Sequence, residues 1–207
     1  MELHLVSEEY YEESAAEALD GSTIYVFARP AIVPEPAELA GPPTVSASFR
    51  ETMRALASGV VLITTYVEGR PWGVTVTSCC SLSVDPPRIL VSLMRNTATC
   101  QAIEGGATFG VDLLGNAHKR LAQFGSARGA AKFLDDPAVV VQGIGTAAPM
   151  VEGALSHVDC ELDQIFDGGD HAIILGRVTD VVSAHPRSSG SPLLYFDGGF
   201  HHLGSPL

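Results

Sequence analysis

At 207 residues the chain is long enough for one sizeable core, so its length points to one domain or one domain with an extension. Its 24 acidic and 12 basic residues leave a formal charge of −12, which repels phosphate backbones and anionic lipid surfaces and argues against nucleic acid or a membrane as partner. There is no run of eighteen apolar residues, and Met1-Glu2-Leu3-His4 lacks the basic segment and apolar stretch of a secretory signal, so a cytoplasmic protein is expected.

The acidic excess is uneven. Residues 1–20 hold Glu2, Glu8, Glu9, Glu12, Glu13, Glu17 and Asp20 with no Lys or Arg, and read as a short acidic helix. Residues 23–27 (Thr-Ile-Tyr-Val-Phe) are β-prone. Pro30, Pro34, Pro36, Pro42 and Pro43 then remove donors and fix φ, so residues 28–45 read as an extended linker. This puts a boundary near Ser46, with an N-terminal extension over residues 1–45 and a folded domain over 46–207.

Ser48-Phe49-Arg50-Glu51 has the form of a capping box opening a helix of about three turns. Phe49, Met53 and Leu56 share one face of it, and Gly59 is placed to end it. Strands are expected over 60–66, 73–79, 88–93 and 109–113, where β-branched and apolar residues dominate. Glu68-Gly69-Arg70 suits a hairpin between the first two, and Asp85-Pro86-Pro87 punctuates the approach to the third. Helices are expected over 97–104 and 117–124.

Further on, Val158, Cys160 and Leu162 alternate with Asp159, Glu161 and Asp163, the pattern of a half-buried strand. Gly168-Gly169-Asp170 separates it from a β-prone run over 171–182, and a short strand follows over 193–196. Many short strands with Gly and Pro turns and few helices argue for a closed antiparallel barrel. No G-x-G-x-x-G follows a strand, so a Rossmann dinucleotide fold has no support.

Residues 73–87, Gly-Val-Thr-Val-Thr-Ser-Cys-Cys-Ser-Leu-Ser-Val-Asp-Pro-Pro, resemble the signature of the flavin reductase-like family. Other features follow in family order: Phe49, Gly59-Val60-Val61, Arg95-Asn96-Thr97-Ala98-Thr99, Lys132-Phe133, Gly169-Asp170-His171, and Pro192-Leu193-Leu194-Tyr195-Phe196. The resemblance spans about residues 47–203 and implies a mainly β fold, a split antiparallel barrel with a few short helices. Two departures stand out. Asp112 replaces the Asn often found in its strand, and Cys79 and Cys80 stand where aromatic residues, threonine or alanine are common.

The resemblance implies an NAD(P)H:flavin oxidoreductase that supplies reduced FMN, or alternatively FAD, to a separate monooxygenase, working as a homodimer with flavin at or near the subunit interface. The alternative is a flavoprotein that keeps FMN tightly bound for other biosynthetic chemistry, or a binding module that is not a reductase. A flavin needs donors along its polar edge. The backbone of Thr75, Val76, Thr77, Ser78, Cys79, Ser81, Leu82 and Ser83, with its hydroxyl groups, is the expected seat.

Arg95, Asn96 and Thr99, at a helix start, suit the flavin phosphate, with Lys132 assisting or standing as a surface charge. Phe133 either covers the ring or belongs to the core. By resemblance His171 sits beside the nicotinamide of NADH or NADPH and orients it, with Tyr195 and Phe200 bordering the same pocket or filling core. Hydride transfer requires approach and alignment rather than an acid–base pair. His201-His202 has no neighbouring ligand at metal spacing, so no metal is expected. The four cysteines show no C-x-x-C, and vicinal Cys79 and Cys80 should face opposite ways, so reduced thiols are expected.

Overall fold

The structure is a computed structural model that describes residues 15–17, 23–25, 44–136, 140–141, 146–183 and 190–203. It divides into two compact units, Met1–Thr44 and Val45–Leu207. In the first, strands β1 (Ala15–Glu17) and β2 (Thr23–Tyr25) pair antiparallel, with Ala15 opposite Tyr25. The helix expected over residues 1–20 is therefore a strand where it is described. A β-prone partner, Thr23-Ile24-Tyr25, supplies a ladder that outweighs the weak local preference of Ala-Ala-Glu. The rest of that helix, and positions 28–43 of the expected linker, lie outside the described residues.

In the second unit, helix α1 (Val45–Arg54) starts three residues before the expected capping box. Ser48 is thus inside the helix, and its carbonyl accepts the Thr52 hydroxyl at 2.9 Å. Gly59 does not end the helix: it lies in a two-residue strand β3 (Ser58–Gly59) that pairs with β13 (Leu193–Phe196). α1 instead finishes where the Arg54 carbonyl accepts the Asp197 N–H at 2.9 Å. Phe49, Met53 and Leu56 remain exposed.

The remaining strands are β4 (Val61–Val67), β5 (Arg70–Val76), β6 (Cys79–Val84), β7 (Pro87–Met94), β8 (Phe109–Leu113), β9 (Val140–Val141), β10 (Met150–Val151), β11 (Ser156–Gly168), β12 (His171–Ser183) and β14 (Gly199–His202). Helices α2 (Ala98–Glu104) and α3 (Lys119–Ser126) lie between them, the latter entered through a 3-10 turn at Asn116–His118. Seven strands form one antiparallel sheet in the order β5-β4-β8-β11-β12-β7-β6. Its two edge strands, β5 and β6, are joined by Thr77 and Ser78 alone. The sheet therefore curls until its edges meet at that link, and the result is a split antiparallel barrel.

This link corrects the single strand expected over 73–79: the chain breaks after Val76, and the Cys- and Ser-rich stretch beyond it forms a second strand. The β4–β5 hairpin turns at Glu68 and Gly69 with φ of 53° and 72°, the positive pair that a two-residue turn requires.

β4 is buried on both faces, which explains its unbroken apolar run. Val61 and Ile63 enter the barrel core with Val91, Leu93, Phe109 and Ile174. Val60 and Leu62 face outward into a second cluster with Leu114, Ala122, Leu134 and Leu193. α3 thus covers the outside of the sheet beside β5. No helix among the described residues is long and apolar enough to cross a membrane.

Candidate functional site

An open groove of about 680 Å³ runs between the end of β5, helix α3 and the β13–β14 hairpin. Thr75, Val76 and Thr77 form its floor, and Tyr195 and Phe200 form one wall with ring centroids 5.4 Å apart at 69°. Lys119, Gln123 and Ser126 of α3, together with Arg128, form the other wall. α3 can approach so closely because of Gly125: a Cβ there would lie 2.3 Å from Thr75 Oγ1 and 3.0 Å from the Thr75 nitrogen. The Thr75 hydroxyl is buried against this contact without a hydrogen-bond partner among the described residues.

From the floor the chain passes to the opposite edge strand. Ser78 donates its hydroxyl to the Ser92 carbonyl at 2.8 Å, and its own carbonyl accepts the Ser92 N–H at 3.0 Å, which fixes the crossing. Cys79 turns inward against the barrel core, where burial pushes its thiol up to about 12, while Cys80 points outward. Ser81 and Leu82 are exposed and Ser83 is half-buried, with a register shift between Ser81 and Ser83.

A second group of candidates gathers at the tip of the β11–β12 hairpin. Arg95 Nη2 donates to Asp167 Oδ1 at 2.8 Å, Glu104 lies 4.0 Å from Nη1, and the Arg95 N–H donates to the Asp170 carbonyl. His171 Nδ1 lies 2.6 Å from Asp170 Oδ1. The Gly169 N–H and then Arg95 hold the Asp167 carboxyl below its ordinary range, and His171 does the same for Asp170. Asn96 is exposed. Thr97, not Asn96, caps α2: its hydroxyl oxygen accepts the Cys100 N–H at 3.3 Å. Thr99 is fully buried, and its hydroxyl has no partner among the described residues.

The structure therefore brings Thr75, Val76 and Thr77 together with Tyr195 and Phe200, and Arg95 together with His171. Neither Arg95 nor His171 lines the groove. Lys132 and Phe133 sit beside the start of β5: the Lys132 carbonyl accepts the Gly73 N–H, and burial lowers the Lys132 ammonium. Phe133 meets Trp72 edge-on at 4.7 Å and carries the Arg70 guanidinium 3.7 Å from its ring centre.

Lys119, Gln123, Ser126 and Arg128 were not singled out from the sequence. A signal existed, since four of the twelve basic residues (Lys119, Arg120, Arg128, Lys132) fall within fourteen positions of an acidic chain.

His157, also unmarked in the sequence, lies between two carboxylates away from the groove. Its Nδ1 is 2.9 Å from Asp112 Oδ1 and its Nε2 is 3.1 Å from Asp159 Oδ1, all three residues being buried. The alternation expected in β11 had placed Asp159 outward. A register shift between Asp159 and Cys160 instead buries both, and the Ala147 and Ala148 N–H groups satisfy the carboxylate. Asp112, which replaces the family Asn, faces His157, accepts the Val151 N–H at 2.9 Å, and lies 3.3 Å from the Thr64 hydroxyl. Among the described residues no group of three or more His, Cys, Asp or Glu is placed to hold a metal.

Residues 53–204 match the family model described as flavin reductase like domain. The chain belongs to the flavin reductase-like family. It is 31% identical over 161 residues to the reductase component of 4-nitrophenol 4-monooxygenase/4-nitrocatechol 2-monooxygenase from Rhodococcus opacus, covering 78% of this chain and 83% of that one. To the reductase component of 4-hydroxyphenylacetate 3-monooxygenase from Thermus thermophilus it is 28% identical, covering 75% and 95%. Among solved structures, the styrene monooxygenase flavin reductase of Pseudomonas putida S12 superposes with a TM-score of 0.66 at 29% identity, covering 77% of this chain and 99% of that one. The NADH:FAD oxidoreductase of Streptomyces globisporus C-1027, in complex with NAD and FAD fragments, gives a TM-score of 0.69 at 25% identity, covering 79% and 95%. The solved relatives share the barrel fold with this chain.

Proposed function

We propose that this chain is an NAD(P)H:flavin oxidoreductase that takes FMN in preference to FAD and passes reduced flavin to a separate monooxygenase. The observation that carries this reading is the hydroxyl-bearing floor Thr75–Thr77 opening into a groove walled by Tyr195 and Phe200, on a barrel whose relatives are named as reductase components. The residues present suit a flavin. The exposed Thr77 and Ser81 offer polar contacts, and the groove volume lies in the range of small-ligand sites.

When bound, flavin supplies the electron-accepting ring that takes a hydride from reduced nicotinamide. The chain's own task is then binding and alignment. Thr75, Val76, Thr77, Ser78, Cys79, Ser81, Leu82 and Ser83 present backbone N–H groups and hydroxyls along the crossing to the polar edge of the ring. Arg95, with Asn96 and Thr99 near it, receives the flavin phosphate, for which Asp167 must give up its place on the guanidinium. His171, steadied by Asp170, and the ring pair Tyr195 and Phe200 orient the nicotinamide. Lys132 and Phe133 support the site from the far end of β5.

The working form is read as a cytoplasmic homodimer. β6 is an edge strand with Leu82 49% and Val84 91% exposed, an apolar rim that a second copy would cover. His171→Ala tests the assignment: KM for the nicotinamide should rise while the dissociation constant for FMN stays at the wild-type value. Equal weakening of both ligands would remove His171 from the nicotinamide side.

A further inference from the structure

The groove has one property that the flavin and nicotinamide assignments leave unused. Two cations line it, Lys119 and Arg128, and no carboxylate among the described residues does. Five arginines outside the groove, Arg54, Arg70, Arg88, Arg95 and Arg177, each have a carboxylate within ion-pair distance. Among the described residues Lys119 and Arg128 have none; Arg50 and Arg120 have none either, but they do not line the groove. In a chain with twice as many acids as bases, two unpaired cations around one concavity make a local positive field against the overall charge.

The neighbouring groups suit the rest of a nucleotide. Gln123, on the same helix as Lys119, adds a neutral amide donor to the lining. Opposite them stand Tyr195 and Phe200, whose rings offer a stacking surface, and an open space of about 680 Å³ separates the walls. Gly125 draws α3 onto Thr75 and so sets the width of the groove.

We infer that Lys119 and Arg128 form a phosphate-binding pair that holds a nucleotide phosphate in this groove, distinct from the Arg95 cluster at the β11–β12 hairpin. The sources of that phosphate are the pyrophosphate bridge of the nicotinamide dinucleotide, with Arg95 keeping the flavin phosphate, or the flavin mononucleotide, which would take that role away from Arg95. The inference rests on the reductase reading for its choice of ligands. Its binding tests do not depend on turnover.

Lys119→Gln, Arg128→Gln and the double variant are compared with wild type for affinity toward FMN, toward riboflavin (which has no phosphate) and toward NADH, by fluorescence titration. Each single change should weaken the phosphate-bearing ligand about tenfold, the loss of one charge-assisted contact. If the groove holds the flavin phosphate, the FMN-to-riboflavin affinity ratio collapses while the NADH constant stays. If it holds the dinucleotide, NADH affinity falls and that ratio keeps its wild-type value. A double variant that retains both values overturns the inference.

Inorganic pyrophosphate on the unmodified protein gives a readout independent of any variant. It should displace the affected ligand competitively, and a failure to compete also overturns the inference. Wild-type protein that binds these ligands but does not turn over would instead count against the reductase reading and leave the groove assignment standing.

Discussion

His157 is buried between the carboxylates of Asp112 and Asp159, 2.9 and 3.1 Å from its two ring nitrogens. Burial alone would lower its pKa, but the hydrogen bonds and charges of Asp112 and Asp159 outweigh that and raise it, so the folded state holds this proton more tightly than the unfolded chain does. A group with a raised folded pKa stabilises fully below its unfolded value, about 6.5 for histidine, and its contribution is lost as pH rises through the folded value. Burial also raises Asp112 above its ordinary range, which acts with the same sign. Stability measured by urea should therefore fall from neutral toward alkaline pH, and His157→Gln should flatten that slope while lowering stability near pH 6. A wild-type curve level over this range would contradict the cluster's protonation.

The cysteines also behave differently once folded. Cys79, Cys100 and Cys160 are raised by burial and packed in the core, so a thiol reagent should label Cys80 alone in the native protein and all four cysteines after denaturation. Asp159 looked polar and outward because a one-residue bulge reverses which face a strand residue takes, and nothing local to the sequence marks a bulge.

At the scale of elements, legibility followed hydrophobic content. β8 and β13 match the expected spans over 109–113 and 193–196, since apolar and β-branched runs flanked by glycine or proline leave little choice. The break between β5 and β6 was not legible, because Thr77 and Ser78 carry no turn signal and the strand after them owes its place to pairing with β7. The groove was half legible. Thr75–Thr77, Tyr195 and Phe200 were named from the sequence, but the α3 side chains reach them only through the packing of Gly125 on Thr75. That packing makes its own test: Gly125→Ala puts a Cβ against the Thr75 backbone nitrogen, which cannot give way as a side-chain tip can. A destabilisation of about 1–3 kcal/mol is expected in urea unfolding. An unchanged midpoint would show that α3 does not press on β5 as described.

For the whole molecule, charge separates the two units. Nine of the 24 acidic residues and one of the 12 basic ones lie in residues 1–44, so residues 45–207 carry a formal charge of only −4. The barrel unit that meets anionic nucleotides is thus far less repulsive than the full chain, and the remaining opposition is met locally by arginine and lysine. Removal of residues 1–44 should leave the FMN dissociation constant within about twofold at physiological salt, since the family match begins at residue 53, every groove residue lies in the second unit, and salt screens exposed charge.

The function rests on flavin and nicotinamide meeting on one barrel so that electrons pass repeatedly from one to the other. The most direct measurement is the decay of the nicotinamide absorbance band when purified protein is mixed with NADH and excess free FMN. Many equivalents of NADH consumed per protein chain is the expected result. Consumption that stops at one equivalent per bound flavin, or never starts, would contradict a reductase and leave a flavoprotein with a resident group.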